Sequence, residues 1–249
     1  LQTLRGFYRL VGFLWLTSVT ITKILILGLI MGKDIERAIH LRRKLAQRLV
    51  RFLNVKCEVS GIIPDKGILG VTNHRSYLDS ICIFQYLDAC PVVKVEVKKW
   101  PILGFGLVHS GTVFVDRKSK ESRKQTREQI AKLVRSKIST IVFVEGTTYV
   151  GPEAGEFRPG TFMTAVEGGF EVIPIAVEFE EQEMAWVGKD TFIPHFIRTF
   201  GKFEETRVKV AFGPTRKGED WETLRDECYA WVNAKLLEMR SGFDSIPAT

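Results

Sequence analysis

The chain has 249 residues, 45% of them hydrophobic and 26% charged, with a formal net charge of +7. That length suits one mid-sized domain plus an appendage, and the balance excludes collagen-like and disordered classes. Cys57, Cys82, Cys90 and Cys228 form no CxxC pair; this argues against a zinc ribbon, a thioredoxin-type site or a disulfide-dense secreted fold, and the four read as reduced, mostly buried thiols.

The positive charge is concentrated at the front. Residues 1–56 hold eleven Lys and Arg against Asp34 and Glu36, a net of +9 that leaves −2 for the remainder. Within that quarter, Leu10–Gly32 is apolar with Lys23 as its one charge. As a helix it would be roughly 34 Å long, near the ~30 Å hydrocarbon thickness of a bilayer, with Lys23 at a costly depth if it spans. The uncharged part, Leu10–Thr22, is equally compatible with a helix lying in one leaflet. Asp34–Phe52 then has helical periodicity: Ile35, Ile39, Leu45, Leu49 and Phe52 share a broad face, while Arg37, Arg42, Arg43, Lys44, Arg48 and Arg51 occupy the others. A basic amphipathic helix beside an apolar one fits an anionic lipid surface, the alternative being an ordinary packing helix with a solvated face. No small-residue cleavage site closes the apolar stretch, which argues against a signal peptide. Residues 1–56 are therefore expected to be a membrane-anchoring helical module, with the domain that follows, 57–249, on the cytoplasmic face. No aromatic-basic module accompanies the charge, so nucleic acid is not expected as a partner.

Past Lys56 the pattern changes. Short β-branched runs at Val55–Val59, Ile68–Thr72, Val92–Val97, Thr112–Val115, Thr140–Val144, Val172–Val177 and Arg207–Phe212 alternate with helical stretches at Tyr77–Leu87, Ser119–Lys137, Thr161–Gly168 and Asp220–Arg240. The alternation predicts an α/β fold: a mixed, largely parallel sheet flanked by helices. Chemistry in such sheets gathers at the strand C-termini, and the long Thr147–Pro159 loop is of the kind that shapes a binding site.

Directly after the Ile68–Thr72 strand stands Asn73-His74-Arg75-Ser76-Tyr77-Leu78-Asp79. By spacing alone, Asp79 either orients His74 as a general base or forms a structural capping pair with it. The run resembles the first motif, NHxxxxD, of the glycerolipid acyltransferases, which include 1-acylglycerol-3-phosphate acyltransferase (the PlsC family). Three further blocks follow in that family's order: Gly111-Thr112-Val113-Phe114-Val115-Asp116-Arg117, Phe143-Val144-Glu145-Gly146-Thr147 and Val172-Ile173-Pro174-Ile175. Lys94, Glu96, Pro101 and Gly104 match the family's lysine-containing stretch before the second block.

The resemblance implies a membrane-associated enzyme. It would move a fatty acyl chain from acyl-CoA or acyl-carrier protein to the free hydroxyl of a lysolipid, 1-acyl-glycerol-3-phosphate (giving phosphatidic acid) or a related lysophospholipid. Its partners would be membrane lipid, the lysolipid acceptor and the acyl thioester, with no cofactor beyond that co-substrate. His74 would be the base and Asp79 its orienting residue, with no acyl-enzyme, in keeping with the lack of a G-x-S-x-G elbow. Arg117 would pair with an acceptor phosphate, for which a guanidinium fork is suited. Glu145, Gly146 and Thr147 belong to the block that binds the acceptor's glycerol and phosphate in the family. Lys94 and Arg158, in Phe157-Arg158-Pro159-Gly160, are candidate phosphate or pantetheine contacts.

One departure concerns the acceptor. Phosphatidic-acid-forming members usually read EGTRS in the third block, whereas Thr148 and Tyr149 follow Thr147 here. That pattern is similar to branches acylating other lysolipids, among them lyso-ornithine lipid, and Arg158 is the candidate replacement for the missing cation. His109 and His195 lack acidic or cysteine partners at ligand spacing and read as structural; no metal site is expected. A catalytically silent lipid-surface tether and a thioesterase are the competing readings.

Overall fold

The computed structural model describes residues 1–244. The strands are β1 (Val55–Gly61), β2 (Leu69–Thr72), β3 (Ala89–Lys94), β4 (Val113–Val115), β5 (Ser139–Phe143), β6 (Val172–Phe179) and β7 (Thr206–Phe212). They form one sheet in the order β1-β7-β6-β2-β5-β3-β4, and every neighbouring pair is parallel except β6 with β7. This is the mixed, largely parallel sheet that the alternating pattern predicts. β2 and β6 are buried along their whole length, as central strands covered on both faces must be.

Among the described residues eight α-helices cover the sheet: α1 (Gln2–Met31), α2 (Ile35–Phe52), α3 (Leu78–Phe84), α4 (Leu103–His109), α5 (Lys120–Arg135), α6 (Gly160–Gly168), α7 (Phe192–Lys202) and α8 (Trp221–Asp244). Side-chain alternation divides the core. Ile173, Ile175 and Val177 of β6 meet Phe13 of α1, Leu49 of α2, Leu78 of α3 and Phe196 of α7. On the other face Val172 and Ala176 meet Ile130 of α5, Phe162 of α6 and Leu236 of α8.

The boundary at residue 56 falls inside β1, and α1 and α2 are packed onto the body. Gly6 allows a close backbone approach: a Cβ there would lie 2.2 Å from the Ile197 carbonyl oxygen of α7. Arg9, itself buried, donates to the carbonyls of Phe200, Phe203 and Glu204 at 2.6–2.8 Å, and Arg5 donates to Gly201 and Lys202. The carbonyls at the C-terminus of α7, which have no partner within the helix, are thereby satisfied by α1. The outer side of α1 remains bare, exposing Leu4, Val11, Trp15, Val19, Ile26 and Ile30.

In α2, Asp34 caps the first turn by accepting from Arg37 N at 3.1 Å. Ile39 and Leu49 are buried as expected, but Arg42 departs from the predicted polar face and turns inward among α3, β3 and α4. β3 begins at Ala89 rather than Val92, and Val95–Lys99 forms a short 3-10 helix instead of extending it. Helices α4 and α7 have no counterpart in the sequence reading. All four cysteines are free.

Candidate active site

The C-terminal ends of β2, β3 and β5 lie side by side and deliver the motif residues to one place. After β2, the buried Asn73 side chain donates to the Val177 carbonyl at 2.8 Å and accepts from the Val177 amide at 2.9 Å. This pair ties the turn to β6 and fixes the residue that follows. Asp79, in the first turn of α3, is fully buried. Its Oδ2 accepts from His74 Nδ1 at 2.7 Å, from Arg75 N at 2.7 Å and from Ser76 N at 2.9 Å. An ionised carboxylate only accepts, so this contact assigns the ring proton to Nδ1 and leaves the Nε2 lone pair free. The imidazole also packs on Phe143, with ring centroids 4.3 Å apart.

Around Gly146 the cations gather. Gly146 has φ +77°, and a Cβ there would lie 2.8 Å from Arg158 Nε and 3.6 Å from Arg117 Cζ. Glycine is needed both for the left-handed backbone and for the space. Burial and then the Arg158 charge pull the Arg117 pKa down. Burial, then Arg117, with Arg158 adding less, do the same to Lys94, and Glu96 is the one group raising either. Three mutually repelling cations with one carboxylate near them make a site short of negative charge. Arg158 Nε donates to the Glu145 carbonyl at 3.2 Å, which holds this second guanidinium beside Arg117. The Thr148 hydroxyl donates instead to the Trp186 carbonyl.

Glu145 points elsewhere. Its Oε1 accepts from Gly155 N at 3.1 Å, its Oε2 is buried without a hydrogen-bond partner, and the residue is not part of the cavity wall. Burial raises its pKa to about 8 against the opposing pull of Arg75. Its carboxyl therefore bears on Gly155 of the long loop and on the His74 backbone, behind the cavity wall.

His74, Lys94, Glu96, Arg117, Gly146 and Thr147 all line one cavity of about 440 Å³. Beyond this polar mouth the walls are apolar, supplied by α1, α2, α3 and α4, with Trp100, Trp186 and Phe192 at the side. The rings of Trp100 and Trp186 lie 5.9 Å apart, and those of Trp100 and Phe192 5.5 Å.

Residues 54–178, half of the chain, match the family model described as Acyltransferase. The chain belongs to the acyltransferase family. This acyltransferase is 29% identical over 156 residues to the lyso-ornithine lipid O-acyltransferase of Pseudomonas aeruginosa, spanning 61% of the chain and 60% of that relative. It is 26% identical over 195 residues to the 1-acyl-sn-glycerol-3-phosphate acyltransferase of Neisseria gonorrhoeae, covering 75% and 76% respectively. Its fold matches the crystal structure of the 1-acyl-sn-glycerophosphate acyltransferase PlsC from Thermotoga maritima, with a TM-score of 0.74 at 20% identity over the whole of both chains.

Several residues that hold the candidate site have no signal in the motifs. Arg75, 2% exposed, donates to the carbonyls of Tyr149 and Glu153 at 3.1–3.3 Å and to Glu178 Oε2 at 3.0 Å. Arg240 of α8 donates to the same Glu178 oxygen at 3.1 Å and to the Gly151 carbonyl. Two arginines sharing one carboxylate thus hold the 147–159 loop from below, while Tyr149 N donates to the His74 carbonyl at 2.8 Å. Each guanidinium meets its partner across long sequence separations, so neither spacing nor composition points to the arrangement. His195 is buried, with Nδ1 3.1 Å from the Tyr77 hydroxyl, and His109 Nδ1 lies 2.9 Å from the Phe105 carbonyl. Among the described residues no cluster of three His, Cys, Asp or Glu is placed to hold a metal ion.

Proposed function

We propose that the protein is a membrane-bound O-acyltransferase that moves a fatty acyl chain from acyl-CoA or acyl-carrier protein to the free hydroxyl of a lysolipid. The acceptor proposed is 1-acyl-glycerol-3-phosphate, giving phosphatidic acid. The carrying observation is that the His74–Asp79 pair and the cations Lys94 and Arg117 open onto one cavity whose deeper walls are apolar. The acceptor's phosphate rests on Arg117, Arg158 and Lys94 at the mouth. Nε2 of His74 takes the hydroxyl proton as the oxygen attacks the thioester carbonyl carbon. The imidazolium formed is stabilised by Asp79. Collapse of the tetrahedral species breaks the carbon–sulfur bond, and the leaving thiolate takes the proton from His74, restoring the base. Asn73 and the two backbone amides on Asp79 hold this pair in place. Gly146 gives the head group close access to the backbone.

A second acceptor, lyso-ornithine lipid, is favoured by Glu96 standing among the cations and by the 29% identical relative. Its carboxylate would take the arginines and its ammonium Glu96. Membrane attachment is assigned to α1 and α2. Because one side of α1 is clamped to α7, its bare apolar side is read as lying in one leaflet rather than spanning. Exposed Lys33, Lys44, Arg48 and Arg51 then face anionic head groups on the cytoplasmic side. The test is transfer of radiolabelled acyl chains in anionic vesicles by wild type and His74→Ala, with lysophosphatidic acid, lysophosphatidylcholine, lysophosphatidylethanolamine and lyso-ornithine lipid as acceptors. Transfer lost in the variant supports the reading. Free fatty acid without any acylated lipid, or vesicle binding with no turnover, would replace it by a thioesterase or a tether.

A further inference from the structure

Helix α4 is apolar on every side. From Leu103 to Val108 it carries no charge. Leu103, Gly106 and Leu107 line the cavity, Gly104 packs on the backbone of Val97 and Lys98, and Phe105 and Val108 stay 51% and 49% exposed. A helix with no polar side belongs inside a protein or in lipid. Ile102, at the entrance of the helix, adds a third exposed apolar side chain. It has φ +63° and ψ −62°, and Leu103 N donates across it to the Pro101 carbonyl at 2.6 Å. This is a γ-turn of the strained kind, and a β-branched residue suits it badly. A strained turn that presents isoleucine outward points to an apolar neighbour outside the described chain.

Continuity and charge identify that neighbour. Gly106 lies against α1, where a Cβ would come within 2.5 Å of Ile21 Cδ1. At about 100° per residue, Val11 and Leu29 lie roughly 80° round α1 from Ile21. Both are exposed, so the patch on α4 borders the bare side of α1. Lys98 and Lys99 end the 3-10 helix at the first turn of α4. Lys98 rests on the Phe114 ring at 4.5 Å, and neither lysine has an ion-pair partner among the described residues. They belong to a second basic block: residues 94–137 hold twelve Lys and Arg against four Asp and Glu, a net of +8. An apolar patch rimmed by unpaired lysines matches a leaflet with anionic head groups. In a twofold dimer the patch would face its own copy and set these lysines against each other.

Resting on the reading that α1 lies in one leaflet, we propose that the outer face of α4, with Ile102, Phe105 and Val108, is a second lipid contact, held to anionic head groups by Lys98 and Lys99. Lys94 immediately precedes the same 3-10 helix, so this contact sets the cationic mouth of the cavity at head-group level.

The test places a nitroxide on one introduced cysteine in the full chain, at Phe105→Cys, Val19→Cys or Lys124→Cys. The background is Cys57→Ser, since the other three cysteines are buried. Accessibility to oxygen and to a water-soluble nickel complex is read in vesicles of phosphatidylglycerol and phosphatidylethanolamine. Position 19 reports the bare side of α1, and position 124, exposed on α5, reports water. Position 105 is expected to match position 19. Position 105 in water with position 19 in lipid overturns the contact and leaves the attachment through α1 standing. Both in water overturn the attachment and the contact with it. A label at 105 already shielded before vesicles are added assigns the patch to a second copy and overturns the proposal. Phe105→Ser is expected to weaken vesicle binding by about tenfold or more. Lys98→Gln with Lys99→Gln is expected to cost about tenfold in these vesicles and little in phosphatidylcholine vesicles. Binding unchanged in both variants would overturn the proposal. Neither variant touches the cavity wall, so transfer to a water-soluble short-chain acceptor is expected to continue at the wild-type rate. A loss there as large as the loss in vesicles would assign α4 a structural role instead.

Discussion

Replacing Asp79 by Asn removes one charge and little volume, and so isolates what that charge does. The amide oxygen can occupy the place of Oδ2 and accept from His74 Nδ1 and from the amides of Arg75 and Ser76. Its nitrogen then takes the place of Oδ1, which is buried and has no hydrogen-bond partner. An unsatisfied buried donor costs about 1–3 kcal/mol, so the variant folds with a lowered melting temperature. The catalytic loss is separate. At about 4 Å and an effective dielectric near 20, a carboxylate and an imidazolium attract by about 4 kcal/mol. The two backbone amides on the same oxygen already draw on that charge, leaving about 3 kcal/mol that appears only when His74 is protonated. At 1.36 kcal/mol per decade this is roughly a hundredfold loss in kcat. The acceptor KM is expected to stay within about twofold, since the cations at the mouth are untouched. Single-turnover transfer in vesicles with saturating thioester measures the chemical step directly. Activity within about threefold of wild type, or a loss wholly in KM, would refute the assignment of Asp79 as the stabiliser of a protonated His74.

Arg117→Ala and Arg158→Ala are each expected to raise the KM for a phosphate-bearing acceptor by roughly 10- to 100-fold, the loss of a charge-assisted hydrogen bond, with kcat less affected; acceptor titrations at fixed donor measure this. Glu145→Gln removes a carboxyl whose folded pKa lies near 8, above its ordinary 4.5. Folding favours the protonated form, so wild type should lose about 1.4 kcal/mol of stability per pH unit between those values from this group, and Glu145→Gln should show a shallower decline in thermal melts at pH 5.5 and 8. Gly6→Ala forces α1 away from the Ile197 carbonyl and is expected to cost about 1–3 kcal/mol by denaturant melts, whereas Gly28→Ala, which meets nothing within 4 Å, should be neutral or slightly stabilising.

The elements legible in the sequence are those whose partners are local. Runs such as Val172–Val177 and Thr140–Val144 state their burial by composition, and the Asn73–Asp79 motif states the contact between His74 and Asp79. β3 was displaced because Val95 and Val97 suit a strand by type, while Ala89 and Cys90, which actually pair with β5, do not. Helix α7 has a helical row in Phe192, Phe196 and Phe200, but Pro194 argues against it. The proline falls in the first turn, where its missing N–H has no intrahelical partner to lose. Helix α4 contains Gly104 and Gly106, poor helix formers, and glycine is needed at 104 because a Cβ there would lie 2.4 Å from the Lys98 carbonyl oxygen. Arg42 sits by period on the polar side of α2. Only the carbonyls of Ala89 and Ser110, supplied by distant segments, bring it inside.

The clamp between α1 and α7 joins residues about 190 positions apart in the chain. A ribosome adding roughly 5–20 residues per second makes α7 about 10–40 s after α1 has emerged. Through that interval only α2 is at hand to pack on the apolar helix, as Tyr8 does on Phe52, and the side that α7 later covers stays bare. The later strands and α7 thus close onto a helix already made, and Arg9 waits without its carbonyl partners until the C-terminal end of α7 exists.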